Sequence, residues 1–199
     1  MLPHAPGACR LSSAAVRRLG ALATEMLHAH VDAGAGRFRG IRQRATWDAE
    51  LRKADPDPGP GLLLDPALRA GFEALAELGL SFDAWLYFPQ LPDLVDLART
   101  YPDATIVLNH LGAPIVQGPY ADRESTLARW RVLMTEVATR PNVVLKVGGI
   151  GMPMFGTTWH ERDVQPGPEE VAAYWGDEVR FCIDTFGPDR CMFESNFSV

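Results

Sequence analysis

Shortages in this sequence each close off a class of protein. It has three cysteines, Cys9, Cys182 and Cys191, an odd number with no CxxC spacing. That is no disulfide framework, and reduced thiols in a cytoplasm are expected instead. No apolar run approaches the roughly 18 to 20 residues that cross a bilayer, so no membrane association is expected. The start, Met1-Leu2-Pro3-His4-Ala5-Pro6-Gly7, lacks the basic and apolar regions of an export signal. Basic residues are outnumbered, 19 Lys and Arg against 25 Asp and Glu for a net charge of −6, and no arginine-aromatic stripe suits nucleic acid. There is no repeat and no domain linker; the Pro/Gly-rich residues 55–61 read as a surface loop. What remains, 47% hydrophobic and 22% charged over 199 residues, describes one globular domain whose first eleven residues are irregular.

Within that domain, helical and strand patterns alternate. Ser12 and Ser13 offer an N-cap to a helix with Val16, Leu19, Leu22, Met26 and Leu27 on one stripe, ended by Gly34 and Gly36. Residues 37–42 read as a short strand. Asp65-Pro66 opens a helix continued by Leu68, Phe72, Leu75 and Leu78, and Gly79 stops it. Residues 80–88 are apolar and aromatic enough for a strand buried on both faces. Helix 92–99, strand 104–109, helix 123–139, strand 142–147, helix 169–186 and strand 190–197 follow. Five strands separated by helices imply βαβ units and a parallel sheet with right-handed crossovers. This α/β pattern fits an open sheet, or part of a (β/α)8 barrel, which needs about 250 residues.

In such folds functional groups gather at the carboxyl ends of the strands. Those positions hold Arg42, Asp83 with Tyr87 and Gln90, His110, Lys146, and Glu194 with Asn196. His110 sits where a strand turns into Leu111-Gly112; it suits metal binding or acid/base work, and equally a local backbone hydrogen bond. Glu194 and Asn196, two apart on a strand, are expected to share a face about 6.6 Å apart along it. Glu194 can act as base or pair with an arginine; an amide at 196 orients but does not titrate. Lys146, flanked by Leu145 and Val147, is expected in an ion pair or against a substrate anion.

Two patterns are decoys. His28 and His30 fall on a helix, where a spacing of two turns the rings about 200° apart, so they cannot share an ion. Gly148-Gly149-Ile150-Gly151 follows a strand but opens no helix that would receive phosphates. The long stretch after it, with Trp159, His160, Glu161 and Arg162, reads as a lid or pocket wall in which His160 would contact a substrate. The three cysteines have no histidine-spaced partners for zinc.

Several segments together resemble the amidohydrolase-related family, the lactonase and decarboxylase-like branch of the amidohydrolase superfamily. They are Phe38-Arg39-Gly40-Ile41-Arg42, Leu80-Ser81-Phe82-Asp83 with Pro89-Gln90-Leu91, and Ile106-Val107-Leu108-Asn109-His110-Leu111-Gly112. Asn142-Val143-Val144-Leu145-Lys146 and the run from Phe186-Gly187-Pro188 to Phe193-Glu194-Ser195-Asn196-Phe197 complete the set. The resemblance implies a (β/α)8 barrel, here a partial one of about five strands without its first strand and its C-terminal end. It implies hydrolysis of a lactone, amide or similar bond of a small anionic substrate by activated water. His110 matches the family's active-site histidine, and Arg42 an arginine that binds a carboxylate or carbonyl. Asn196 stands where the family carries an aspartate.

The sequence departs from the family in lacking an HxH-bearing first strand and in carrying Gln43 and Phe88 where relatives often have histidine. The family implies a divalent metal such as zinc. A catalytic site wants about three protein ligands, and His110 is the one good ligand here, so the expectation for this chain is no metal. The expected mechanism is water attack on a carbonyl, with His110 polarising it or relaying the proton and Glu194 as base. Arg42 would hold an anionic group, while Asp83, Tyr87, Gln90, Lys146, His160 and Asn196 position the substrate. The alternative is a catalytically inactive, truncated barrel that only binds or assembles, with self-association through exposed sheet edges.

Overall fold

Each of the first four strands is followed by a helix that returns the chain to the same end of the sheet, so consecutive strands lie side by side and parallel. The computed structural model describes residues 23–51 and 57–196. Within them the order is α1 (Ala23–Gly34), β1 (Gly40–Arg44), α2 (Pro66–Glu77), β2 (Ser81–Trp85), α3 (Leu91–Thr100), β3 (Ile106–Leu108), α4 (Arg123–Ala138), β4 (Val143–Gly148), α5 (Pro168–Phe186) and β5 (Cys191–Glu194). The strands form one sheet in the order β1-β2-β3-β4-β5, every pair parallel.

The local signals explain the boundaries. Asp65 accepts from the Ala67 amide at 2.8 Å ahead of Pro66, capping α2, and Gly79, at φ 63°, turns the chain out of it. Asp122 caps α4 in the same way through the Glu124 amide. The helical start with Ser12, Ser13, Val16, Leu19 and Leu22 lies outside the described residues, as does Cys9. Strand β1 begins later than the pattern at 37–42 suggested. Arg37 is still in a turn, donating to the Gly34 carbonyl at 2.9 Å, and the Phe38 ring stacks on His30 at 5.4 Å.

Register divides the sheet into two unlike faces. Ile41, Gln43, Phe82, Ala84, Ile106, Leu108, Val143, Leu145, Val147 and Cys191 share the face the helices cover. Most are buried, against helix residues such as Leu94, Leu97, Trp130, Met134 and Cys182. The opposite face carries Arg42, Asp83, Trp85, Lys146 and Glu194, all half-buried. Strand β2 is therefore not buried on both faces as its composition suggested: Phe82 and Ala84 are buried while Ser81, Asp83 and Trp85 are half-buried. The apolar count of 80–88 was inflated by Leu86, Tyr87 and Phe88, which follow the strand and are buried.

Strand β5 is a second correction. It ends at Glu194, and Asn196 adopts φ 53°. A left-handed residue breaks the pleat, so Glu194 and Asn196 do not continue one strand face. Among the described residues, no helix is long and apolar enough to cross a membrane.

Candidate active site

The polar face converges on His110. The residue follows β3, and its backbone starts four consecutive left-handed residues: His110 at φ 54°, Leu111 at 55°, Gly112 at 64° and Ala113 at 45°. Non-glycine residues pay about 1–2 kcal/mol each for that conformation. The turn is held by its surroundings: the buried Trp130 indole donates to the Leu111 carbonyl at 2.8 Å, the Ala113 amide donates to the His110 carbonyl at 2.8 Å, and the Phe88 amide donates to the Ala113 carbonyl at 3.2 Å. At Gly112 a Cβ would stand 2.8 Å from the Met134 sulfur, so glycine is required there for space as well as backbone.

This turn points the imidazole between strands from both sides of β3. Arg42 on β1 puts Nη2 2.9 Å from His110 Nε2. A guanidinium only donates, so Nε2 is the acceptor and the ring carries its proton on Nδ1. On that side Glu194, from β5, brings Oε1 to 2.5 Å from Nδ1 and also accepts from the His110 backbone amide at 3.2 Å. The oxygen stands off the ring N–H axis, leaving Nδ1 without a well-aligned acceptor. The Trp85 ring meets the imidazole edge to face, centroids 4.4 Å apart at 88°. Gly149 makes the room: a Cβ there would lie 2.6 Å from Nδ1.

Burial works to raise the pKa of Glu194. The close contact with the His110 ring, the Lys146 charge and the hydrogen bond from the His110 amide outweigh it and hold the carboxyl below its ordinary value. Lys146 itself is ion-paired with Asp83 at 2.5 Å across β3. Arg42 differs: among the described residues its hydrogen-bond partner is His110, and no carboxylate lies within ion-pair distance.

The other residues expected at the site make contacts of their own. Gln90 is buried, and its amide is spent on backbone: Nε2 donates to the Ala45 carbonyl at 2.7 Å, and Oε1 accepts from the amides of Trp47 at 3.0 Å and Tyr87 at 3.1 Å. It braces the loop after β1 against the loop after β2. Burial pushes the Tyr87 phenol above its ordinary value, against a hydrogen bond from Thr46. Tyr120 latches the same loop by donating to Asp48 at 2.7 Å; burial first, then that bond, push its pKa up to about 12. His160 is exposed and lies 3.7 Å from Glu161. The long segment around it packs through the buried Phe155 and Trp159, with the Val116 amide donating to the Met154 carbonyl at 2.8 Å.

Sequence reasoning passed over three residues. Trp85 shares the face of Asp83 two positions on, a signal available from alternation alone. Gly149 was hidden in a decoy glycine run. Asn109 is fully buried with neither amide atom hydrogen-bonded among the described residues; nothing in the pattern singled it out.

A parallel βα sheet with its charged side chains at the carboxyl ends of the strands is a portion of the (β/α)8-barrel architecture. The chain belongs to the amidohydrolase family, whose sequence model (Amidohydro_2) matches residues 3–199. It is 38% identical over 162 residues to the uncharacterised protein y4mH of Sinorhizobium fredii, covering 81% of this chain and 48% of that protein. It is 33% identical over 135 residues to an L-fucono-1,5-lactonase of Burkholderia ambifaria, covering 68% of this chain and 40% of that one. The chain thus spans about half the length of the curated relatives it matches. A solved amidohydrolase from Burkholderia multivorans with bound HEPES superposes with a TM-score of 0.68 at 25% identity, over 89% of this chain and 56% of that one. A zinc-bound crystal form of the Burkholderia multivorans amidohydrolase gives 0.63 at 23%, over 85% and 55%, and speaks to the fold alone.

The family raises the question of a divalent metal. Among the described residues no group of three or more His, Cys, Asp and Glu is gathered that could hold one. His110 faces a cation at Nε2, where a divalent ion would be repelled, and residue 196 offers an amide in place of a carboxylate. This donor set does not fit the ion, and no step below passes through one.

Proposed function

We propose that the chain carries the active-site half of a lactone hydrolase acting on a small anionic or polyhydroxylated lactone. The observation that carries this reading is the line Arg42–His110–Glu194, drawn from β1, the turn after β3 and β5 to one point at the carboxyl ends of the strands. Family membership and the lactonase relatives support the reaction class.

His110 Nε2 takes a proton from water as the water oxygen bonds to the lactone carbonyl carbon. Glu194, 2.5 Å from Nδ1, steadies the resulting imidazolium by its charge, which makes it an electrostatic partner in place of the base first expected. Arg42 donates to the carbonyl oxygen as it becomes an alkoxide, its charge having no carboxylate within ion-pair distance among the described residues. When the intermediate collapses, the ring C–O bond breaks and Nε2 returns the proton to the departing oxygen, giving the hydroxy acid. Base catalysis of this kind contributes about 10²–10⁴-fold.

The test is a pH-stat panel of 1,4- and 1,5-lactones, including L-fucono-1,5-lactone, with simple amides as controls. Lactone opening by the purified chain, reduced about a thousandfold in His110→Asn, is the expected result. Rates equal in wild type and variant, or no faster than buffer, overturn the reading and leave a binding or assembly role.

A further inference from the structure

The base and its neighbour are in conflict in this structure. His110 Nε2 must be free to take a proton, yet Arg42 already donates to it at 2.9 Å. Neutral imidazole has one acceptor lone pair in the ring plane, so while Arg42 holds it, water cannot. The other side of the ring offers no alternative, because Nδ1 faces Glu194 at 2.5 Å and a Cβ at position 149 would already collide with it. Trp85 covers the ring further, edge to face at 4.4 Å. The ring is boxed in, and the side that can open is the one closed by Arg42.

Arg42 is equipped to leave. Its guanidinium is half-buried and among the described residues has no carboxylate in ion-pair reach, so its charge is bound here only to a neutral ring nitrogen. The bond to Nε2 sets the guanidinium's charge against a neutral acceptor through one contact, whereas a carboxylate adds the attraction of opposite charges and can take two parallel N–H bonds. A ligand carboxylate therefore outcompetes Nε2 for the guanidinium. Lys146 cannot substitute for it, since Asp83 already neutralises that ammonium at 2.5 Å.

We propose that Arg42 is a ligand-released cap on His110: it occupies Nε2 in the free protein, and a ligand carboxylate draws it away, exposing the base only when a ligand is in place. This rests on the lactonase reading for the base's purpose, but the cap is observable without turnover. It makes Arg42 a positioning and specificity-determining residue, favouring ligands that bring an anionic oxygen close to the scissile carbonyl.

The experiment is ¹⁵N NMR of the imidazole rings in the intact chain, with His110 assigned by triple resonance. In the free protein the proton is expected on Nδ1, with Nε2 unprotonated and shifted upfield by the arginine donor. Sodium acetate, titrated against sodium chloride at matched ionic strength, is expected to move Nε2 downfield, toward its position in Arg42→Ala. Acetate should not move Nε2 in that variant. A ring protonated at Nε2 in the free protein overturns the cap. So does an Nε2 resonance that stays still up to molar acetate. Both readouts use the wild-type chain, so a variant that misfolds does not rescue the proposal. Loss of lactone hydrolysis with the acetate shift intact would sink the proposed reaction and leave the cap standing.

Discussion

At the scale of single residues, Glu194 and Gly149 do different things to the same ring. Glu194 is held below its ordinary pKa despite its burial, so its ionised form is favoured by folding. A depressed native pKa contributes stability that is fully present above the ordinary carboxylate value, about 4.3, and is lost as pH falls through the lowered native value. Glu194→Gln imitates the protonated acid. The stability gap between wild type and Glu194→Gln, measured by urea unfolding from neutral to acid pH, is expected to be constant down to about pH 5 and to narrow below it. A gap that is flat throughout would mean the carboxylate gains nothing from His110 and Lys146. Gly149 acts by absence. A methyl group there meets Nδ1 at 2.6 Å on a backbone at φ 72°, so Gly149→Ala must tilt the ring or shift the loop. A displacement near 1 Å at a reacting group can cost about 10²-fold, and kcat/KM of ring opening is expected to fall by about that factor. Gly151→Ala is the control, since a Cβ there meets nothing within 4 Å; it should leave the rate unchanged.

At the scale of elements, the loop after β1 is tied to the site by Gln90. Gln90→Ala removes three hydrogen bonds to backbone and leaves the Ala45 carbonyl and the Tyr87 amide without them. Each buried orphan costs about 1–3 kcal/mol, so a loss of about 3 kcal/mol in unfolding free energy is expected. Retention of full stability would show the loop is held by Tyr120 and Asp48 alone. This brace also marks where the sequence stopped being readable. The helices and strands announce themselves through caps, periodicity and glycine stops, and the five α-helices and five strands of the described residues were anticipated to within a few residues. The strand-end rule then selected Arg42, His110 and Glu194, which do meet. It selected Gln90 by the same logic, because position along a strand says nothing of whether an amide turns to backbone or to ligand. Nor does it reveal that 110–113 runs left-handed: the turn depends on Trp130, a residue of α4, and long-range support of that kind leaves no local trace. The strand face expected to pair Asn196 with Glu194 fails for a related reason, since one left-handed residue is enough to take Asn196 off the strand that its spacing implied.

At the scale of the whole molecule the two ends of the sheet are built for different purposes. The carboxyl end holds a strained turn and an arginine with no carboxylate partner among the described residues, features that lower stability. The amino end holds staples. Arg190 donates to the carbonyls of Phe186 at 3.0 Å, Arg140 at 2.9 Å, Val143 at 3.3 Å and Ala138 at 2.9 Å, joining α4 and α5 to the start of β4. Asn142 reaches the carbonyls of Ala98, Tyr101 and Ala104 at 2.9 to 3.1 Å, joining α3 and the approach to β3. Barrels separate function and stability in this way, chemistry at the carboxyl face and support at the opposite one. Arg190→Ala and Asn142→Ala are therefore each expected to lower unfolding free energy by about 2–4 kcal/mol, while the folded fraction keeps its rate and its His110 tautomer. Arg42→Ala should do the reverse, altering the Nε2 resonance and the rate with little change in the urea midpoint. Because the staples lie several residues down the strands from His110, the two classes should also add in free energy when combined. A double variant Arg190→Ala/Arg42→Ala whose losses depart from additivity would show that the ends are coupled, and that the strain at 110–113 is supported through the sheet as well as by Trp130.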